Sequence, residues 1–400
     1  MALRVDMVSE HASPLAVPGG VDAGGQNVHV RELAQALARL GHEVTVWTRR
    51  DAPELPERIR LGRGVQVRHL AAGPPRPLPK DELLAHVPAM AGALAEAWRR
   101  HRPDIVHAHY WMSGLAVLTA AEASGVPTVQ TFHALGSVKR RHQGQADTSP
   151  DGRVAAERAV AQAVDRIVAT CSDEVFELAR LGAPRHRIRV VPCGVDTAGF
   201  TPNGTALPRA ARPRLVTVGR LVRRKGVDET IAALAQVPTA ELVVAGGSGP
   251  DDPDRQRLAA LAVEYRVSHR VRFLGAMPRN RMPELLRSAD VVICVPWYEP
   301  FGMVPLEAMA CARPVVASAV GGLTDTVVDG VTGVLVPPRR PRELAAAVRR
   351  LLRSPALIDA LGAAGRDRAV ARYGWDRVAA ATADVYDQVV ALGPVARAAR

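Results

Sequence analysis

Aromatic residues make up only 4% of the 400 residues, five each of Phe, Trp and Tyr. Proteins that stack nucleic-acid bases along a basic groove need aromatic platforms there. The scarcity therefore weighs against nucleic-acid binding in spite of a formal charge of +12. Cysteine is equally sparse. Cys171, Cys193, Cys294 and Cys311 are scattered and form no C-x-x-C pair, which argues against a disulfide scaffold or zinc knuckle and suits a reducing compartment. Burial as small hydrophobes is their expected fate. Long apolar runs are missing as well: no stretch nears the ~18 residues of a spanning helix, and Arg4 and Asp6 interrupt the N-terminus where a secretion signal would need apolar continuity. A soluble, cytoplasmic protein is expected.

What is present is an ordinary globular composition, 48% hydrophobic and 23% charged, in a chain long enough that two domains are the opening expectation. The basic excess is mostly arginine, as in Arg99-Arg100-His101-Arg102. Solvated helix faces account for most of it in this reading, and peripheral contact with anionic headgroups stays open.

Short β-branched runs alternate with helical patterns throughout. Val44–Trp47, Ile105–His109, Thr128–His133, Ile167–Cys171 and Arg189–Pro192 are predicted strands of the first half, with a helix over Val30–Leu40. The second half repeats the alternation at Leu215–Gly219, Leu242–Ala245, Val271–Leu274, Val291–Val295, Val315–Ala319 and Val334–Val336. Such alternation implies parallel sheets covered by helices. The stretch 200–213, FTPNGTALPRAARP, has three prolines and no apolar periodicity and is predicted to be a linker. The fold class expected is α/β: two doubly wound Rossmann-like domains facing across a cleft, 1–203 and 204–378, with a C-terminal helix over 379–400 packing back on the first. Ligands of such sheets bind beyond the carboxyl ends of the strands.

Three segments carry what an anionic ligand needs. Gly19–Val28, GGVDAGGQNV, runs into a helix, where flexible glycines and free N–H groups suit a phosphate; it is neither G-x-G-x-x-G nor a Walker sequence, and a plain tight turn remains open. Gly219–Gly226, GRLVRRKG, follows a strand and lets Arg220 and Lys225 converge on one anion. A cation 4 Å from a phosphate is worth roughly 4 kcal/mol at an effective dielectric near 20, and the arginine fork adds bidentate geometry. Arg223 and Arg224 belong to a solvated face in this reading. Glu299–Ala312, EPFGMVPLEAMACA, places Glu299 in a strand-to-helix loop and Glu307 inside the helix that Gly302 opens. The N–H groups near Gly302 and Met303 then face a ligand, the bland alternatives being helix initiation for Glu299 and solvent exposure for Glu307.

GGQN at 24–27, HAHY at 107–110, TFHA at 131–134, GRLVRRKG at 219–226 and EPFGMVPLEAMA at 299–310 occur in one order over essentially the whole chain. In this the chain resembles the retaining glycosyltransferases of family 4, of GT-B architecture, and within them the branch holding the mycothiol-pathway glycosyltransferase and the sucrose and sucrose-phosphate synthases. The resemblance implies that Arg220 and Lys225 clamp a donor diphosphate, aided by Gly25. It implies that Glu307 binds the nucleotide ribose, while Glu299 and the N–H groups of Phe301, Gly302 and Met303 hold the transferred sugar. His133 would lie across the cleft near the reacting sugar. The catalytic set is then His133, Arg220, Lys225 and Glu299. As the sugar–phosphate bond breaks, preorganised cations at the departing diphosphate stabilise the transition state more than the ground state. In that family the acceptor hydroxyl attacks from the leaving group's own face, so the resemblance implies retention of configuration without the two-carboxylate scheme of hydrolases. It implies too that no metal or other cofactor is needed. On the acceptor side Asn27 is carried over, and Lys80, Tyr110 and Arg153 match three of the four residues that hold a phosphorylated inositol in the mycothiol-pathway enzymes. The fourth, a threonine, is replaced by Ala134, one hydroxyl donor fewer for a phosphate.

The expected partners are a nucleotide diphosphate sugar, with UDP favoured by the branch likeness, and a small-molecule acceptor, with no nucleic acid. A GDP-mannose mannosyltransferase acting on a lipid is the alternative enzyme; a non-catalytic nucleotide-sugar or nucleic-acid binding protein is the alternative class. Asp252-Pro253-Asp254 is a literal D-x-D that could hold a metal, yet its place before a helix favours capping. His107 and His109 share a strand face and could ligate zinc; with no further His or Cys cluster evident beside them, ordinary lining of the cleft is the expectation.

Overall fold

The computed structural model describes residues 2–16 and 24–392, which form two compact units. The first comprises 2–16, 24–192 and 375–392; the second is 193–374.

Eight strands build the first unit's sheet: β1 Arg4–Val8, β2 Glu43–Arg49, β3 Arg58–Gly62, β4 Val65–Leu70, β5 Ile105–His109, β6 Thr128–Thr131, β7 Arg166–Ala169 and β8 Ile188–Val190. Their order is β3-β4-β2-β1-β5-β6-β7-β8, parallel except for the β3–β4 hairpin. Val5 pairs with Val44 on one side and Ile105 on the other. All five residues of β5 are buried, as a strand covered by helices on both faces requires. Helix Gly25–Arg39 turns Val30, Leu33, Ala34 and Leu37 inward and packs against the returning helix Trp375–Ala391, which buries Val378, Tyr386 and Val389 in the same core.

The second unit holds β9 Arg214–Val218, β10 Glu241–Ala245, β11 Val271–Gly275, β12 Val291–Cys294, β13 Val315–Ser318 and β14 Gly333–Val336. The order is β11-β10-β9-β12-β13-β14 with every pairing parallel. In each sheet the strand order reverses once, between β1 and β5 and between β9 and β12. Those switch points are where doubly wound sheets open a crevice at their carboxyl ends.

Two expectations need correction. The crossings between units fall at 192/193 and 374/375, where the sequence reading had 203/204 and 378/379. The stretch 200–213 is no free linker either. Phe200 is buried, Leu207 N–H donates to Glu284 O at 3.1 Å, and the Arg287 guanidinium donates to the carbonyls of Thr201 and Thr205, which lashes the segment to the second unit. Some of the arginine is structural. Arg187, Arg214, Arg270 and Arg287 are buried, and each donates to backbone carbonyls, replacing water at loop ends where backbone acceptors would otherwise be orphaned.

Candidate functional site

In the second unit, β9 leads through Gly219 into a loop that carries exposed Arg220 and then a short 3-10 turn, Arg223–Lys225. Gly226 closes it at φ 77°, and a Cβ there would lie 1.9 Å from Val295 O. Only glycine lets this loop sit against the end of β12. Lys225 thereby reaches Glu299, and the two form a half-buried ion pair. Arg223 is exposed as expected. Arg224 departs from the solvated reading: its guanidinium lies 5.3 Å from the Tyr298 ring centroid and its carbonyl accepts from Trp297 N–H.

Glu299 is held by its backbone, since Gly322 N–H donates to its carbonyl at 3.0 Å. Gly302, at φ 88°, starts helix Met303–Ala310, whose first N–H groups have no intrahelical acceptors. Glu307, one turn inside, is not solvent-exposed: it is buried and accepts from Arg279 Nη1 at 2.7 Å. Arg279 also lies 5.2 Å from the Phe200 ring. Sequence reasoning missed Arg279, which had no motif to mark it. Of the residues expected at the donor, Arg220, Lys225, Glu299, Phe301, Gly302, Met303 and Glu307 thus gather after the adjacent strands β9 and β12, at the switch point of the second sheet, while Gly25 belongs to the first unit.

Asp252 caps helix Pro253–Glu264 through the N–H groups of Asp254 and Arg255 and also accepts from Ser248, while Asp254 pairs with Arg257. Both carboxylates have local partners. Cys294, behind this site, has its thiol pushed up to about 12 by burial first and the Glu299 charge second; it stays protonated and behaves as a small hydrophobe.

In the first unit, residues 24–28 of the glycine segment are described and Gly19–Ala23 lie outside the described residues. Gly24 N–H donates to Asn27 Oδ1 at 2.9 Å, and Asn27 Nδ2 donates to Ser13 O at 3.0 Å. Asn27 is buried, so its amide is engaged in shaping the start of helix Gly25–Arg39. Gly25 is the first residue of that helix.

Beyond β5, Tyr110 adopts φ 81° and heads the next helix. Burial raises its phenol above the ordinary range. Lys80 Nζ lies 3.6 Å from the Tyr110 ring centroid and the Arg153 guanidinium 5.2 Å. Lys80 and Arg153, from separate elements, therefore share the Tyr110 ring. Arg153 is buried and heavily engaged, donating from Nε to Glu157, from Nη1 to Ser149 Oγ and from Nη2 to Ala134 O. A cation so desolvated is retained because Glu157, fully buried, pairs with it.

His133 follows β6 at φ 61°, a strained conformation for a side-chain-bearing residue. It is half-buried and shares a 2.9 Å hydrogen bond, Nε2 to Nδ1, with His109 at the end of β5. His107 is occupied elsewhere, by Tyr386 Oη at 2.8 Å and Thr131 Oγ1 at 2.9 Å. His29, one turn into helix Gly25–Arg39, brings its ring centroid to 5.0 Å from that of His133. The expectation that no further His or Cys cluster accompanies His107 and His109 is therefore overturned. The available signal was the four-residue spacing from Gly25 to His29, which sets both on one helix face. Burial holds His29 down to about 4 and His107 to about 3, and His109 and His133 well below the usual imidazole range; all four are neutral at physiological pH.

Comparison with known proteins decides the family. Residues 23–198 match Glycosyltransferase Family 4 and residues 207–368 match Glycosyl transferases group 1. A D-inositol 3-phosphate glycosyltransferase of Acidothermus cellulolyticus is 41% identical over 97% of this chain and 91% of its own. The chain belongs to glycosyltransferase family 4. It is an enzyme of the hexosyltransferase class. A second relative, the D-inositol 3-phosphate glycosyltransferase of Xylanimonas cellulosilytica, is 40% identical over 98% of each chain. Among solved structures, sucrose-phosphate synthase from Thermosynechococcus elongatus superposes with TM-score 0.91 at 34% identity, covering 98% of this chain and 100% of the other. Anabaena HepE, solved with UDP and glucose, superposes at 0.76 with 19% identity over 96% of this chain and 99% of its own. That likeness is one of fold, and with the two Rossmann-like units it identifies the architecture as GT-B.

Proposed function

We propose that this glycosyltransferase moves a hexosyl unit from a UDP-sugar to a hydroxyl of a phosphorylated polyol, with inositol phosphate the first candidate, retaining configuration and using no metal. The observation that carries the reading is the convergence of Lys225, Glu299 and Glu307 at the β9–β12 switch point. Arg220 and Lys225 neutralise the diphosphate as it departs, the interaction that strengthens most in the transition state. Glu307 accepts from the ribose hydroxyls, and Glu299 with the N–H groups of Phe301, Gly302 and Met303 orients the sugar.

The first unit supplies His133 for the reacting sugar and, for a phosphorylated acceptor, Lys80 and Arg153 about the Tyr110 ring. The relatives named for inositol phosphate support this choice. With Ala134 beside His133 and Arg153 donating to its carbonyl, recognition of the phosphate rests on charge rather than on a hydroxyl at that position. Diphosphate neutralisation by arginine and lysine supports metal independence, as does the local engagement of Asp252 and Asp254.

The experiment is a donor and acceptor panel read by product mass spectrometry, with UDP-GlcNAc, UDP-glucose and GDP-mannose against inositol phosphate, free inositol and a lipid acceptor. Product only with a UDP-sugar and inositol phosphate, undiminished in EDTA, is the expected result. Product only with GDP-mannose on lipid overturns the substrates, and reversible loss in EDTA overturns the metal assignment.

A further inference from the structure

Three imidazoles in the first unit come together from three separate elements, and the reading above does not use them as a group. His29 stands on helix Gly25–Arg39, His109 at the end of β5, and His133 just past β6. We propose that His29, His109 and His133 form a binding site for a divalent transition metal of the zinc class.

One ring nitrogen from each of the three lies within 4.8 Å of the others. The rings are 5.0 to 5.7 Å apart centre to centre. The second observation is unmet bonding capacity: His29 Nδ1 and His109 Nε2 are buried without a hydrogen-bond partner, on residues that are 3% and 0% exposed. Buried polar atoms in folded proteins are nearly always partnered, so an orphan pair in one cluster calls for an explanation. A bound metal supplies one.

The donor chemistry narrows the ion. Three neutral imidazoles suit zinc, copper or nickel, whereas magnesium and calcium take oxygen ligands. Three histidines plus a water complete a four-coordinate zinc shell. This site therefore differs in kind from one that would hold a magnesium ion against a diphosphate. Zinc–nitrogen bonds near 2.0–2.1 Å imply nitrogen separations of about 3.4 Å, against separations of up to 4.8 Å here; the ligands close by on the order of 1 Å. Outer support is present as well. His107, pinned by Tyr386 and Thr131, packs 4.2 Å from His109, and Trp375 lies edge-on to His29 at 5.4 Å. These rings pack around the two imidazoles and restrict their rotation.

Occupancy would take His133 away from the sugar, so the ion acts as an inhibitor; this consequence, unlike the binding itself, rests on the proposed role of His133. The test uses the full chain, freed of metal by chelator dialysis and titrated with Co²⁺. One equivalent should bind with the intense visible absorption of four-coordinate cobalt, be displaced by Zn²⁺, and lose more than tenfold in affinity in His29→Gln and in His29→Phe. X-ray absorption on zinc-loaded wild-type protein should count three imidazoles, a readout that stands even if neither variant folds. Weak multi-site binding, affinity indifferent to His29, or fewer than three imidazoles overturns the proposal. If one zinc binds through three imidazoles and turnover is unchanged, the site stands and the role given to His133 falls.

Discussion

Lys225 and Glu299 are 74 residues apart in the chain and form an ion pair where the adjacent strands β9 and β12 end. Under the proposed function this carboxylate holds the cation until the donor diphosphate takes its place. Lys225→Ala should lower kcat/KM by on the order of a hundredfold, as for removal of one charge-stabilising donor. Steady-state kinetics with the preferred UDP-sugar provide the check, and full activity in the variant would remove Lys225 from the diphosphate.

Glu307→Ala should act mainly on donor affinity. A charge-assisted hydrogen bond to a hydroxyl contributes roughly 1.5–3 kcal/mol, so KM for the nucleotide sugar should rise about tenfold to a hundredfold. The change also strips Arg279 of its carboxylate partner, and thermal melts should show a modest loss of stability. Unaltered donor KM would contradict the ribose assignment.

Gly226→Ala tests the loop rather than its charges. The residue sits at φ 77° with no room for a Cβ against Val295 O. The left-handed conformation alone costs about 1–2 kcal/mol for an L-residue, and the clash adds to it. A lower melting temperature with loss of donor binding is expected, even though Arg220 and Lys225 are untouched.

The motifs of the second unit were legible in the sequence because a short loop with its charges is contiguous: GRLVRRKG and EPFGMVPLEAMA each name a strand end and the helix or turn beyond it. What the sequence hid are partners joined only by the fold. Arg279 meets Glu307 across 28 residues, and His29 meets His133 from another element. The β3–β4 hairpin was not among the expected strands, although Arg58–Gly62 alternates arginine with apolar residues as a half-exposed edge strand does. β1 carries two charged residues in five, against the usual pattern of a buried strand, and Asp6 is accommodated inside it because two tryptophans donate to its carboxylate.

Asp6 yields a pH prediction. Its Oδ2 accepts from Trp47 Nε1 at 2.7 Å and Trp98 Nε1 at 2.8 Å, but burial outweighs both bonds and raises the carboxyl from 3.8 to about 7. The folded state holds this proton more tightly than the unfolded chain. Its contribution to stability is therefore complete below about pH 4 and is lost as pH rises towards 7. At 1.36 kcal/mol per unit the swing is on the order of 4 kcal/mol. Asp6→Asn keeps an acceptor for the indoles and removes the titration. Denaturant melts at pH 4.5 and 7.5 should show the wild type losing stability relative to the variant over that interval; parallel profiles would contradict the burial argument.

The most direct test of the account is a crystal structure with a UDP-sugar bound. Lys225 Nζ should be turned from Glu299 onto a diphosphate oxygen, with Arg220 beside it and Glu307 at the ribose. A diphosphate bound with both basic side chains directed away from it would contradict the account at its centre.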